Sequence, residues 1–397
     1  MSFRKNLGEK YSPLYYLAAL GSGGLVITFF MYLMFLTPHK GYPIPVYDTL
    51  INVLNSGSPF QKLVVVVGVL GVAFFAILHF KLLLWNIREY AYFKKTEKFK
   101  DLKKSPAEIQ LMAIPLTYAM TVNVLFIIGA IFIPHLWNVV EHIFPFALLA
   151  FFAIGVYGIK IFMDFISKVV AFGGFDTESN NSLSQMLSIF AFTMIAVGFS
   201  ATGAMSHNPF VSAIGIVFSI GFLSVAAVFG IIKLVIGFHS MFKHGINREA
   251  SISLWIIIPI LTVAGIAFFR NSMGLHHNFN VHLHPTQHLV LFTVIVSLQL
   301  FFGLLGYMVM KHINYFKEFI DGKSESVTAY AAICPGVAFF VMLNFLLNKG
   351  FVGTGLIYKF SVVYLLLYVP LIYLQLKTII VLFRLNRKLI KAWRTGA

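Results

Sequence analysis

The chain has 397 residues, 59% of them hydrophobic and 11% charged, with a formal net charge of +16. A soluble domain carries roughly 25% charged residues, so the composition excludes an ordinary soluble fold and puts most of the chain in a bilayer. Basic loops on one side of a membrane explain the positive charge without nucleic acid as a partner, and the single cysteine excludes a disulfide framework or a cysteine-rich metal site.

The first residues, MSFRKNLGEKYSPLYY, lack a signal-peptide cleavage pattern, so the first hydrophobic span is expected to remain as an anchor. Repeated uncharged runs reach the length of about 20 residues that crosses a bilayer. They predict a single transmembrane domain over 1–397, all-α, with ten spans at about 14–37, 61–86, 107–133, 143–167, 183–206, 211–238, 252–270, 287–311, 327–347 and 355–384. Arg88, Lys94, Lys95, Lys98, Lys100, Lys103 and Lys104 follow span two. Lys168 follows span four, Lys243 and Arg248 follow span six, and Lys311, Lys317 and Lys323 surround the end of span eight. Arg384, Arg387, Lys388, Lys391 and Arg394 close the chain, whereas the other side has little beyond Lys40, Lys62, Arg270 and Lys349. This asymmetry predicts a cell-membrane protein with both termini cytoplasmic. Only short segments flank the first and last spans, so regulation through long phosphorylated tails is not expected.

The basic turns recur every 70–80 residues or so, long enough for two crossings, and group the spans into five helix pairs. The odd-numbered spans have no Lys, Arg, Asp or Glu in their middles. Pro115, Pro259 and Pro335 lie in spans three, seven and nine, Gly21, Gly23 and Gly24 in span one, and Gly198 and Gly203 in span five. Proline removes a backbone donor and kinks or breaks a helix. In lipid the freed backbone groups need partners in protein or a water-filled cavity, so a broken span points to a transport path; the plainer reading is a structural kink. Span nine, with Cys334-Pro335-Gly336 near its middle, is the clearest case. The even spans carry Lys81, Lys160, Asp164, Lys233, Lys359 and Lys377, mostly near their ends, where long side chains reach the headgroups. Asp164 follows Lys160 by one helical turn and can pair with it. The pattern predicts five broken helices inside and five regular ones around them.

The stretches KSPAEIQLMAIPLTYAM (104–120), VSLQLFFGLLGYMV (296–309) and TAYAAICPGVAFF (328–340) resemble the third, eighth and ninth helices of the tellurite-resistance/dicarboxylate transporter family. That family includes bacterial TehA and the plant guard-cell slow anion channels, and the likeness covers most of 14–390. The resemblance implies five helical hairpins around a central pore, a homotrimer, and passive conduction or export of small anions. Substrate classes in the family include chloride, nitrate, malate, sulfite and tellurite-related oxyanions. The family places a pore-occluding phenylalanine just before the ninth-helix Pro/Gly, and Cys334 holds that position here. Either the pore is open, or Phe192, Phe199 or Phe339 closes it.

Helix ends exposed at a break carry partial charge, and the N-terminal ends attract anions. Ser22, Thr117, Thr121, Asn123, Ser200, Thr202, Thr262 and Asn344 could replace lost hydration, or could simply bond neighbouring helices. Weak sites of this kind suit conduction better than a deeply buried lysine. His276, His277, His282, His284 and His288 are expected in a loop between spans seven and eight, as a solvated or pH-responsive vestibule rather than a metal site. No P-loop, nucleophile elbow or mid-span carboxylate pair appears, so neither an enzyme nor a cofactor is expected. Haem would need histidines deep in facing helices, whereas His79, His239 and His312 fall towards the cytoplasmic ends. The expected function is therefore an anion channel or passive anion transporter, with a proton-coupled exporter of sulfite, tellurite-related oxyanions or C4-dicarboxylates as the alternative.

Overall fold

A computed structural model describes residues 3–173 and 181–392; Arg394 of the basic C-terminal run lies outside them. Among the described residues there is no β-strand, only an isolated bridge between Phe3 and Lys391. Ten helices are long and apolar enough to cross a membrane, which fits an all-α integral membrane protein. They are α1 (Pro13–Leu36), α2 (Pro59–Phe93), α3 (Pro106–Phe132), α4 (Leu136–Phe172), α5 (Ser184–Met205), α6 (Pro209–His244), α7 (Glu249–Phe279), α8 (Pro285–His312), α9 (Val327–Val352) and α10 (Val362–Ile390). Two short helices, Tyr47–Ser56 and Glu97–Lys104, lie between α1 and α2 and between α2 and α3.

Four of the even-numbered helices begin on a capping or proline device. Ser58 Oγ accepts from the Gln61 N–H at 3.3 Å, Asn208 Oδ1 from the Phe210 N–H at 2.9 Å, and Ser361 Oγ from the Tyr364 N–H at 3.3 Å. Pro59, Pro209 and Pro285 open their helices, where a missing N–H removes no intrahelical bond.

The odd-numbered helices share a further feature at their starts, found among the even-numbered ones only in α4, at Leu136–Val139. Each opens as a 3-10 helix and then relaxes to α-helix: Pro13–Tyr15 in α1, Pro106–Met112 in α3, Ser184–Met186 in α5, Glu249–Ile256 in α7 and Val327–Ala332 in α9. The α-helical parts of α3, α7 and α9 start at Ala113, Ile257 and Ile333. Pro115, Pro259 and Pro335 are thus each third in an α-helical segment. The first four N–H groups of an α-helix have no i−4 partner, so proline at this point fits without breaking the chain's helical path. The break expected from sequence takes the form of a change of winding.

Burial separates the two sets. In the most apolar stretch of each odd-numbered helix 61–94% of residues are buried, against 28–44% in the even-numbered ones. Among the former, α1 packs on α3, α3 on α5, α5 on α7, α7 on α9, and α9 back on α1. Each also packs on the even-numbered helix that follows it. Glycines set the closest approaches: a Cβ at Gly21 would lie 2.7 Å from Ile333 Cγ2, and one at Gly24 2.9 Å from Val337 Cγ1. Both described ends of the chain meet on one face, where the Arg4 N–H donates to the Ile390 carbonyl at 2.8 Å and Arg4 Nη2 lies 3.0 Å from Glu325 Oε1.

Candidate functional site

The small and medium-sized residues of the odd-numbered helices leave space between them. One cavity of about 160 Å³ is lined by residues of all five, including Gly24, Met120, Met194, Thr262 and Val341. It lies towards the face opposite the chain ends, since Ile44, Phe144 and Met205 also line it. A second cavity, of about 370 Å³, lies on the terminal side and is lined by Leu14, Leu17, Gln110, Asn247, Glu249 and Thr328 among others. Three residues line both: Phe190 of α5, Pro259 of α7 and Cys334 of α9. Cys334 is buried, with its thiol free.

The first cavity is mostly apolar, with Phe30, Phe126, Phe144, Phe151 and Phe190 in its wall. Its only ionisable basic or acidic side chain is Arg270. The Arg270 Nη1–H donates to the Val197 carbonyl of α5 at 3.1 Å, while Nε and Nη2 make no hydrogen bond among the described residues. No carboxylate among the described residues pairs with it within 4.0 Å. Uncharged polar groups are few: Thr262 Oγ1 donates to the Ala338 carbonyl at 3.0 Å and accepts from Gln299 Nε2 at 2.6 Å. Asn123 Nδ2 donates to the Ala119 carbonyl at 3.2 Å, and Thr202 completes the set. A part-buried guanidinium without a carboxylate, in an apolar lining, can hold an anion and disfavours a cation.

Of the residues singled out by sequence, Gly21, Gly24, Asn123, Gly198, Thr202, Thr262, Pro259 and Cys334 line this cavity. The others lie elsewhere. Gly23 faces Met120 and His79, Pro115 packs towards Gly158 of α4, and Gly336 faces Thr378 of α10; Pro335 is buried beside it in neither cavity lining. Ser22, Thr117, Thr121 and Ser200 donate to carbonyls of their own helices at 2.7–3.0 Å. Asn344 donates to the Phe340 carbonyl and accepts from the Tyr368 hydroxyl at 3.0 Å. Phe192 packs on Phe162 and Phe222, and Phe199 on Phe151, Phe218 and Phe222, towards α4 and α6. Phe339 is in neither cavity lining.

The histidine-rich stretch is only partly a loop. α7 continues to Phe279, so His276 and His277 sit on its last turn, and α8 starts at Pro285 before His288. His276 Nδ1 is 2.7 Å from the Val281 carbonyl, and the His288 ring packs edge-on to Phe269 at 4.9 Å. Among the described residues no group of three His, Cys, Asp or Glu is placed to hold a metal ion. His79 lies inside the bundle, where its Nδ1 is 2.8 Å from the Ala19 carbonyl and its Nε2 3.0 Å from Thr121 Oγ1, tying α2 to α1 and α3. On the face opposite the chain ends burial pushes the pKa of His39 below its ordinary value, and the charges of Lys349 and Lys359 add to the effect.

Two functional candidates escaped the sequence reading. Phe190 could have been reached by stepping back along one helical stripe from Thr202 through Gly198 and Met194, all of which line the cavity. Arg270 marked the apparent end of span seven; the helix runs on past it and carries the charge inside. No protein-family model matches the sequence, and no curated protein matches it.

Proposed function

We propose that the chain is an anion channel or passive anion transporter of the tellurite-resistance/dicarboxylate transporter kind, with five helical hairpins around one pore lined by the odd-numbered helices. The observation that carries this reading is the pair of cavities, one towards each face, that share Phe190, Pro259 and Cys334 and include a guanidinium without a carboxylate partner. The closed sequence of contacts among α1, α3, α5, α7 and α9 supports the central path. Arg270 selects the sign. Two unit charges 4 Å apart interact by about 4 kcal/mol at an effective dielectric constant near 20, enough to favour an anion over a cation in the cavity by orders of magnitude. The shared residues form the gate, and Phe190 takes the part that the family gives to a ninth-helix phenylalanine. The protein sits in the cell membrane with both termini cytoplasmic, as its basic turns support, and as a homotrimer; a detergent-corrected mass of one subunit would count against the trimer.

The test is flux in proteoliposomes holding the purified full chain, against chloride, nitrate, sulfite and malate, with proton flux recorded at the same time. Anion movement should follow the imposed gradient and voltage and need no protons. A strict requirement for a proton gradient would replace the channel by a coupled exporter, and no flux of any anion would overturn the reading.

A further inference from the structure

We propose that the cavity around Arg270 is a binding site for an aromatic monocarboxylate about the size of benzoate. The inference deepens the reading of the cavity as an anion route and rests on it for the ligand's passage, though not for its binding.

The charge count fixes one carboxylate. Arg270 is the only charged side chain in the lining, and its Nη1–H is already given to the Val197 carbonyl at 3.1 Å. That bond holds the guanidinium plane against α5 and leaves Nε and Nη2 as a parallel pair of donors, the fork that matches two carboxylate oxygens. A second carboxylate on the same ligand would have to sit against Phe or Met side chains, where an unpaired charge is strongly disfavoured. A dicarboxylate is therefore a poor fit.

The walls fix the rest of the ligand. Phe30, Phe126, Phe144, Phe151, Met31 and Met194 surround the space with aromatic and thioether surface, which suits a ring body. A small, strongly hydrated anion regains little from Asn123, Thr202 and Thr262, one of which already donates to the Ala338 carbonyl, so it would pass through without binding tightly. Size agrees. The cavity holds about 160 Å³, and an apolar protein cavity of about 150 Å³ takes up benzene. A six-membered ring with one carboxylate fills the space and presents its charge to the fork.

The experiment is calorimetric titration of the purified full chain in detergent with benzoate, benzamide, phthalate, acetate and chloride. Benzoate should bind saturably and at least tenfold more tightly than each of the other four. Arg270→Gln should weaken benzoate at least tenfold, and Arg270→Lys should recover part of the loss, because it restores the charge without the fork. Benzoate binding no tighter than benzamide or acetate in the unaltered protein would overturn the proposal, and this comparison stands even if the Arg270 variants do not fold. Equal binding of benzoate and phthalate would overturn the single-carboxylate argument. Paired flux measurements separate the two readings. Inorganic anion flux without benzoate binding sinks this site and keeps the anion route, whereas benzoate binding without flux of any anion sinks the route and keeps the site.

Discussion

Phe190 of α5 and Cys334 of α9 each border both cavities. A phenyl ring is far larger than a thiol, so Phe190 should control passage between them more strongly. Phe190→Ala is expected to raise anion flux in proteoliposomes severalfold, Cys334→Ala to change it little, and Cys334→Phe to lower it by adding a second ring. Phe192→Ala is the control, because that ring packs outward on Phe162 and Phe222. Equal gains from Phe192→Ala and Phe190→Ala would remove Phe190 from the gate. At this scale the sequence was only partly readable. It identifies which residue types can line a path, yet a hydroxyl in a helix has its own i−4 carbonyl within reach, and Ser22, Thr117, Thr121 and Ser200 all take a carbonyl of their own helix. Facing direction depends on the helix's rotation, which an all-round apolar segment does not encode. Arg270 was missed for a related reason: a charge at the edge of an apolar run looks like a helix end, and only the packing of α7 on α5 carries it inside.

The packing of one helix on another depends on where a side chain is absent. Gly336 of α9 faces Thr378 of α10, and a Cβ there would collide with Thr378 Oγ1, which is held by its bond to the Leu374 carbonyl at 2.8 Å. Gly221 of α6 has open space where its Cβ would stand. Overpacking costs about 1–3 kcal/mol, whereas glycine to alanine in an open helix position gains up to about 1 kcal/mol. Gly336→Ala should therefore lower the unfolding transition in detergent and Gly221→Ala should not. Adding Thr378→Ala should restore part of the loss; a neutral Gly336→Ala would count against close packing of α9 on α10 at this point. Ser58-Pro59 and Asn208-Pro209 are local start signals whose partners lie within three residues, and the span bounds read from hydrophobicity alone, such as 61–86 for Pro59–Phe93, passed over them. The prolines of α3, α7 and α9 were legible only as special positions. The same residue type breaks an α-helix at its middle and fits one at its start, and the preceding 3-10 turns that decide between the two come from tertiary packing.

Across the whole molecule, the number of helices long and apolar enough to cross a membrane was readable from the sequence, because bilayer thickness acts on each span separately. The sequence also indicated which spans are inside: the uncharged middles, prolines and glycines of the odd-numbered spans pointed to those five, and their greater burial agrees. The even-numbered helices turn apolar side chains outward: Leu63, Leu70, Ile77 and Leu84 of α2 are 59–66% exposed and recur every seventh residue, along one stripe. Such a stripe suits lipid or a neighbouring subunit equally. Orientation has a sharper physical handle. The described ends of the chain meet on one face through the Arg4 amide and the Ile390 carbonyl, so those ends lie on the same side of any membrane the bundle crosses. That face also carries Lys94, Lys95, Lys98, Lys100, Lys103 and Lys104 between α2 and α3, Lys311 in the last turn of α8, and Lys317 and Lys323 between α8 and α9. Lys and Arg in short loops are retained on the cytoplasmic side. Tags at both ends should accordingly be reached by protease or antibody only in inside-out vesicles, while a cysteine placed at His282, in the stretch between α7 and α8, should react with an impermeant maleimide in intact cells. One end accessible on each side would contradict both the contact between the ends and the ten-helix count. Both ends accessible from outside would keep the bundle and reverse it, leaving the basic turns facing out against the charge rule.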